Sequence, residues 1–347
     1  MDPLIIPKQR IKWIDTAKGV CICLVVLHHI LASFGLYNNG VISSHIYYSL
    51  QSFRIPLYFV LSGLFFKSYG GIPIFIIKKL NKIIVPFAFF YLLLSFIMPW
   101  ILARLGVDVF DVGNLSFFQI ATAFYFKEGL YPNGPIWFLL CLFQVNILFC
   151  IIWRINDSKV SLLLFSVLIG AVGLLLSYFS INLYCNLDSA LTGIPFFFFG
   201  YLVKRTDIIS DRKHNIVFVL CFVMISFLFI YFFSRNSEFN FNKFANVLTL
   251  YPCGILGSLS VLLLCKCFGK VPMLTFWGHY SLIILSTHYF ILDLFRYVLY
   301  NTPLDSWWVI FIILMSLYFI LVPLLVRFLP YFTAQKDLIT WQGKHKD

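Results

Sequence analysis

Long apolar stretches separated by short polar segments run along the whole chain. Each stretch has about 17 to 24 mainly apolar residues, which as a helix covers the roughly 30 Å of a bilayer's hydrocarbon core. The pattern therefore predicts an all-α, polytopic integral membrane protein with about ten transmembrane helices. The predicted spans are approximately 16–34, 45–66, 82–102, 136–154, 160–179, 187–203, 215–233, 247–268, 280–299 and 307–329. The second, sixth and eighth of them carry polar residues, Gly or Pro.

Lys and Arg residues between the predicted spans are distributed unequally between the two sides of the membrane. Nineteen fall on the side that holds both chain ends, whereas four fall on the other side, namely Arg104, Lys127, Arg235 and Lys243. Since cytoplasmic loops are enriched in Lys and Arg, this asymmetry predicts that both termini are cytoplasmic. The longest predicted outer loop, 104–135, is placed to cover or admit a substrate.

Composition supports a membrane protein and excludes a nucleic-acid partner. Hydrophobic residues make up 61% of the 347 residues, against roughly 45–50% in soluble domains. The net charge of +12 is spread between the spans instead of forming one basic patch. Nine cysteines lie mostly in apolar stretches, with no CxxC pair and no zinc-like spacing, so we expect no metal. We expect one membrane-embedded domain over 1–347, surrounded by lipid.

The first span ends on two adjacent histidines after beginning near a lysine. Lys18 and His29 are separated by three helical turns, so both lie on one stripe, roughly 16 Å apart along the axis. Arg54 lies within the second span, at a similar predicted depth to His29. Ionisable groups inside a span cost roughly 3 kcal/mol or more, which favours a polar cavity. His29 there suits a general base and Arg54 an anion or oxyanion site, although His29 could instead form an interhelical hydrogen bond.

Two later spans carry weaker candidates. His288 lies deep in the ninth span, where it also needs a polar neighbour. Trp137 begins the fourth span at its outer end, where an aromatic residue that anchors the helix at the membrane interface is common. Arg296 has Asp293 three positions earlier on the same helix, and this spacing predicts a structural ion pair.

A basic cluster precedes the third span. Lys78, Lys79 and Lys82 lie on adjoining turns of one predicted helix start. They could bind the phosphates of a soluble nucleotide-like cofactor, although lipid headgroups explain the same cluster more simply. The chain has neither a Walker sequence nor a GxGxxG after a strand, so it has no nucleotide-binding fold of its own.

Five motifs in order along the chain resemble acyltransferase family 3, the bacterial membrane O-acyltransferases, and especially its fucose 4-O-acetylase-like branch. The motifs are WIDTAKGVCICLVVLHH, SFRIPLYFVLSGLFF, KKLNKIIVPF, GPIWFLLCLF and FWGHYSLIILSTHYF. The resemblance implies a multi-pass protein of the bacterial cytoplasmic (inner) membrane. It also implies acetyl-CoA as the acyl donor from the cytoplasm and a sugar hydroxyl as the acceptor.

The resemblance also implies roles for individual residues. The family's arginine, ten residues, histidine motif falls on Lys18 and His29, so it selects His29 over His28 as the essential imidazole. Lysine replaces arginine here, which keeps the charge but loses the planar bidentate fork. Lys18 and Arg54 would hold charge along the path, with Asp15 next to Lys18 at the cytoplasmic mouth. The residues expected to bind substrate or stabilise charge are Asp15, Arg54, Trp137 and His288, the last two from the fourth and fifth motifs. The donor implied by the family favours the phosphate interpretation of Lys78, Lys79 and Lys82.

These observations predict an integral membrane O-acyltransferase that transfers acetyl from acetyl-CoA to a hydroxyl of a cell-surface saccharide or of its lipid-linked precursor. His29 would either deprotonate the acceptor or carry the acyl group. The alternatives are a secondary transporter or flippase for an envelope precursor, in which buried charges line a translocation path, and a structural assembly subunit.

Overall fold

The computed structural model describes residues 11–37, 40, 42–107, 109, 133–204 and 215–340. Most of this part of the chain is helical, as predicted. The helices are α1 (Lys12–Ser33), α2 (Ser44–Leu64), α3 (Ile72–Arg104), α4 (Trp137–Ile155), α5 (Lys159–Tyr178), α6 (Leu187–Val203), α7 (Ile216–Phe233), α8 (Val247–Phe268), α9 (Pro272–His279), α10 (Ser281–Val298) and α11 (Trp307–Phe328).

Within the described ranges, eight helices are long and apolar enough to cross a membrane. The all-α, multi-pass architecture is therefore confirmed, while the total of ten spans stays a prediction. The two predicted spans outside the eight are α2, whose first half carries several polar residues, and α6, which has 17 residues. No residue of α6 is exposed, so this helix lies inside the bundle and needs no lipid-facing apolar side.

Hydrogen bonds group the loops at two opposite ends of the bundle. At one end, Lys204 Nζ donates to the Phe66 carbonyl (2.7 Å) and Arg154 to the Ser68 carbonyl (3.4 Å). We refer to this end as the inner end, because the charge asymmetry predicts that it faces the cytoplasm. At the other, outer end, Gln144 Nε2 donates to the Cys185 carbonyl (2.9 Å).

Close contact between α2 and α6 forms the centre of the bundle. A Cβ atom on Gly63 would overlap the carbonyl oxygen of Phe197, and one on Gly200 would overlap that of Val60. The two backbones therefore touch where either side chain would separate them. Small residues at such crossings let helices pack by van der Waals contact where lipid offers no hydrophobic driving force.

Helix α3 is interrupted by two π-helical turns, Leu80–Ile84 and Leu93–Ile97. Each turn comes shortly before a proline, Pro86 or Pro99. Proline has no backbone N–H to donate to the carbonyl of residue i−4, and its ring clashes with that carbonyl in a regular α-helix. The first π turn directs Asn81 toward the segment that follows α11. The Asn81 side chain donates to the Ile339 carbonyl (2.8 Å) and accepts from the Leu338 amide (2.7 Å).

The predicted pair of Asp293 and Arg296 is wrong. Arg296 instead pairs with Asp305, and its guanidinium lies 3.8 Å from the ring centroid of Phe34. The reason is the short loop between α10 and α11, which turns back over the last turn of α10 and brings Asp305 to the arginine.

We expect Gly63→Ala to destabilise the protein, because the added methyl group would push α2 away from α6. Overpacking of this kind costs about 1–3 kcal/mol, so the midpoint of thermal unfolding in detergent should fall by several degrees. Gly71→Ala is the matched control, since its Cβ would lie 3.8 Å from the nearest atom, on Pro73. Equal midpoints for the two variants would contradict the close contact.

Candidate active site

A cavity of about 320 Å³ opens among α1, α2, α4, α10 and the loop that joins α7 to α8. We call it the histidine cavity, and its volume lies at the lower end of the range for small-molecule sites. Its polar lining consists of His28, His29, Tyr47, Gln51, Arg54, Ser237, Glu238, Asn240 and Tyr289. Trp137, Phe138 and Leu285 contribute apolar walls. The structure thus brings His29 and Arg54 together, as their predicted depths suggested.

His29 lies at the centre of a cluster of rings. Its ring centroid is 5.1 Å from that of His28, 5.3 Å from that of His288 and 5.3 Å from that of Tyr289. His28 stacks against Tyr47, with 5.5 Å between centroids and 15° between planes. The neighbours of His29 are therefore other groups that can exchange protons, whereas His28 is held by ring stacking.

His288 lies behind His29 in a defined tautomer. Its Nδ1 contacts the carbonyl oxygens of Ile284 (2.9 Å) and Leu285 (3.0 Å). Carbonyl oxygens only accept, so Nδ1 carries the proton and Nε2 of the neutral ring is an acceptor. His288 is fully buried, and Nε2 has no hydrogen-bond partner in the part of the chain that is described. Nε2 can therefore accept a proton or a hydrogen bond, and the centroid of the His288 ring lies 5.3 Å from that of the His29 ring.

Arg54 supplies a positive charge to the histidine cavity. Its backbone carbonyl accepts from Cys21 Sγ on α1 (3.2 Å). Its Nη1 is buried and has no hydrogen-bond partner among the described residues, as is also true of His28 Nδ1. Buried polar atoms normally have partners, so unpaired donors and acceptors that line one cavity indicate a site for a polar ligand. A guanidinium suits an anion or a developing oxyanion there.

Tyr37 borders the same cluster just beyond the end of α1. Its ring centroid is 4.0 Å from that of Tyr47 and 5.8 Å from that of His28. Burial raises the pKa of the Tyr37 phenol, and Arg54 opposes the shift to a lesser degree. The phenol therefore stays neutral at physiological pH and can donate a hydrogen bond.

A second cavity, of about 400 Å³, lies closer to the inner end. We call it the lysine cavity, because Lys18, Lys79 and Lys82 line it. Lys18 Nζ is 4.3 Å from the ring centroid of Phe65, a cation–π contact. Helix α1 thus carries Lys18 into one cavity and His29 into the other, as expected for residues on one stripe.

Phe138 and Leu285 line both cavities, so these two apolar side chains form the wall between them. Tyr58 contributes to the lysine cavity next to that wall, and its ring centroid is 5.3 Å from that of Phe138. The Tyr58 hydroxyl is buried and makes no hydrogen bond within the described residues. Phe138 and Leu285 thus separate a cationic cavity from one that holds imidazoles.

The predicted cluster of Lys78, Lys79 and Lys82 is only partly brought together. Lys78 is exposed and lies 4.3 Å from the ring centroid of Tyr69, outside the cavity. Lys78 and Lys79 are neighbours in sequence and do not share a face, and the π turn Leu80–Ile84 removes the i to i+4 alignment that an uninterrupted α-helix would give Lys78 and Lys82. Lys82 forms an ion pair with Asp337 (3.1 Å) at the edge of the cavity. The cations that line one cavity are thus Lys79 and Lys82 together with Lys18.

Trp137 and Asp15 are placed differently from what their sequence positions suggest. Trp137 is 7% exposed and lines the histidine cavity, so it does not lie at a lipid interface. Asp15 is 4% exposed and lines neither cavity. It is covered by α9, where a Cβ on Gly278 would overlap the Asp15 carbonyl oxygen.

Several lining residues were not found from the sequence. Tyr47, Gln51 and Tyr58 lie on α2 at positions that periodicity does not distinguish. Glu238 and Asn240 lie in the loop between α7 and α8, for which the sequence predicted no role other than joining two spans. Of the longest outer loop, Gly134 and Pro135 line the histidine cavity, while 108 and 110–132 lie outside the described residues.

Comparison with known proteins gives one family and one partial relative. The inner membrane protein YcfT of Escherichia coli (strain K12) is 35% identical over 74 residues, which are 18% of this chain and 20% of that protein. The chain thus matches about a fifth of that relative's length. No solved structure is significantly similar. The acyltransferase domain family, acyltransferase 3, matches residues 11–327, which include every cavity-lining residue named above. The chain is therefore a multi-pass membrane member of the acyltransferase 3 family.

Proposed function

We propose that this protein transfers an acetyl group from acetyl-CoA, on the cytoplasmic side of a bacterial inner membrane, to a hydroxyl of a cell-surface saccharide or its lipid-linked precursor. The observation that carries the proposal is the pair of cavities that share a wall. One is lined by three lysines and the other by histidines and Arg54, with Phe138 and Leu285 between them. This arrangement supports an anionic donor on one side and a hydroxyl acceptor on the other.

The lysine cavity supports the donor side of the proposal. Lys18, Lys79 and Lys82 offer three ammonium groups to the phosphates of the donor. Apolar lining from Leu61, Leu139 and Leu142 suits an uncharged arm that carries the thioester toward Phe138 and Leu285. The Tyr58 hydroxyl near the shared wall is available to donate to the thioester carbonyl.

The histidine cavity supports the acceptor side. His29 removes the proton of the acceptor hydroxyl as its oxygen attacks the thioester carbonyl carbon. A carbon–oxygen bond forms and the carbon–sulfur bond breaks, and CoA leaves as a thiolate that receives the proton. Arg54 stabilises the negative oxygen of the tetrahedral intermediate. Transfer of the acyl group through His29 is a second route that uses the same residues.

A transporter or flippase of an envelope precursor is the competing function. The two cavities on opposite sides of a thin wall would also serve alternating access. Turnover of radiolabelled acetyl-CoA by the purified protein separates the functions, since a transporter leaves the thioester intact.

We expect His29→Ala to lower acetyl transfer at least a hundredfold, the lower bound for loss of a general base. His28→Ala should lower it about tenfold or less, because His28 is held by stacking against Tyr47. The measurement is initial rate with purified, monodisperse protein. A fully active His29 variant would exclude His29 from the chemistry, and equal losses at both positions would remove the distinction between them.

Lys18→Arg should retain most activity, whereas Lys18→Ala should lose it, because the lysine cavity needs a cation at that position. An arginine side chain is also long enough to place its charge over the Phe65 ring, where Lys18 Nζ lies 4.3 Å from the ring centroid. Acetyl transfer and membrane insertion are measured for each variant. Normal turnover by Lys18→Ala would show that the lysine only extends its charge to the membrane surface.

Replacement of the cavity lysines should weaken donor binding selectively. Lys79→Gln and Lys82→Gln should each raise the dissociation constant for acetyl-CoA about tenfold or more, since a charge-assisted contact is worth roughly 1.5–3 kcal/mol. Lys78→Gln is the matched control, because Lys78 lies outside the cavity on the same helix. Calorimetry in detergent provides the measurement.

The same three variants test the lipid alternative. If the lysine cluster only sets the orientation of the protein in the membrane, Lys78 and Lys79 contribute equally to the charge bias. Replacing either one should then reduce correct membrane insertion to the same extent. Correctly inserted protein would then bind acetyl-CoA as tightly as the wild type. That result would mean that the donor binds elsewhere.

A further inference from the structure

The loop between α7 and α8 forms a small β-hairpin, which we call the outer hairpin (Ser237–Phe244). Ser237 pairs with Phe244 and Glu238 with Lys243, and a 3-10 turn, Phe239–Phe241, joins the two strands. It is the only strand pair in the described ranges. A two-residue ladder has little stability of its own, so the hairpin must be held by the helices around it.

Side chains from α2 and from the start of α6 hold its first half. The Ser237 amide donates to Gln51 Oε1 (3.0 Å) on α2. Asn186 Nδ2, which precedes α6, donates to the Asn240 carbonyl (2.7 Å), and Ser189 Oγ donates to the Phe239 carbonyl (2.6 Å). These bonds satisfy backbone groups of the loop and fix its position over the histidine cavity.

The turn of the hairpin is anchored from the other side. Thr192 Oγ1 of α6 donates to Asn242 Oδ1 (2.9 Å), and Asn242 Nδ2 donates to the Gly173 carbonyl of α5 (3.0 Å). The Phe239 side chain is buried, with its ring centroid 6.1 Å from that of Phe196 and 5.0 Å from that of Phe244. The hairpin is thus a fixed part of the bundle, which is what a selective binding surface requires.

The hairpin separates two cavities. One side lines the histidine cavity through Ser237–Phe241. The other side lines an outer cavity of about 530 Å³, whose wall includes Ser177, Tyr178, Ser180, Asn236, Glu238 and Lys243. Glu238 lines both cavities, so this residue lies at the junction between the histidine cavity and the outer cavity.

The chemistry of this junction suits a sugar chain. Asn236 Nδ2 donates to Glu238 Oε1 (3.0 Å), which orients the carboxylate and leaves several of its acceptor positions for hydroxyl groups. Asn240 adds an amide on the side of the histidine cavity. Tyr178 is 76% exposed in the outer cavity and offers a flat aromatic face for the C–H face of a sugar ring.

We propose that the outer cavity is a second acceptor subsite and that Glu238 is a specificity-determining residue, so that an oligosaccharide binds across the outer hairpin. This inference rests on the proposed acetyl transfer to a saccharide. The sugar to be modified occupies the histidine cavity. Glu238 accepts hydrogen bonds from hydroxyls at the junction, and the next sugars lie against Tyr178 in the outer cavity.

The test compares acceptors of different length with purified protein in nanodiscs. Glycan fragments of one to six sugars, cut from the saponified surface polysaccharide of the source strain, are offered with radiolabelled acetyl-CoA. We expect kcat/KM to rise about tenfold or more between one sugar and three. The same repeat unit on a polyprenyl diphosphate, tested in parallel, shows whether the natural acceptor is free or lipid-linked.

Two variants test whether the rise in kcat/KM with acceptor length depends on the outer hairpin and the outer cavity. Tyr178→Ala should remove the dependence on length while it leaves kcat/KM for the single sugar within about twofold. Glu238→Gln should lower kcat/KM about tenfold for every acceptor, because a carboxylate accepts hydroxyl hydrogen bonds more strongly than an amide. Tyr300→Ala is the matched control, since this tyrosine is 64% exposed but lines none of the three cavities.

Calorimetry with the fragments and with acetyl-CoA, each alone, keeps the two proposals apart. Tyr178→Ala and Glu238→Gln should weaken fragment binding and leave acetyl-CoA binding unchanged, and the retained acetyl-CoA binding also shows that both variants are folded. Fragment binding that depends on Glu238 and Tyr178 without any acetyl transfer by the wild type would overturn the proposed function alone. Acetyl transfer with unchanged kinetics in both variants, or with no length dependence in the wild type, would overturn the acceptor subsite alone.

Discussion

The cost of an ionisable side chain in hydrocarbon is the constraint on which the rest of the structure depends. Lys18, His29 and Arg54 lie on helices of a membrane bundle, and each would cost several kcal/mol if it faced lipid. The fold avoids this cost by placing all three against internal cavities, with Lys18 in one and His29 and Arg54 in the other. Because these side chains face internal cavities, α1 and α2 must be surrounded by other helices of the bundle.

Small residues make that enclosure possible. Gly63 and Gly200 let α2 touch α6, and Gly19 and Gly278 do the same for α1 and α9. These contacts hold the backbones together, while other faces of α1 and α2 line the cavities. Rigid packing on one side and cavities on the other are therefore two consequences of one arrangement, and the outer hairpin completes it by covering the histidine cavity.

Much of the fold could be predicted from the sequence, because hydrocarbon thickness and backbone hydrogen bonding restrict a membrane chain to long apolar helices. The stripe that joins Lys18 to His29 was predicted for the same reason, since helical periodicity fixes which residues share a face. Partners across the bundle could not be predicted this way. Arg296 pairs with Asp305 instead of Asp293 because the loop after α10 turns back onto that helix. Lys78 lies outside the cavity that Lys79 and Lys82 line, because a π turn that regular α-helical periodicity does not predict lies between Lys78 and Lys82. Glu238 was missed because a loop has no periodicity to place it.

The central claim is that donor and acceptor meet from opposite sides of one membrane at the wall formed by Phe138 and Leu285. Reconstitution into sealed liposomes of a single, determined orientation tests it most directly. Radiolabelled acetyl-CoA is supplied only on the side of the lysine cavity and a membrane-impermeant glycan only on the side of the outer hairpin. The account predicts labelled glycan on the far side in an amount that depends on His29. Intact acetyl-CoA with no labelled glycan, or transfer only when both substrates share one compartment, would contradict it.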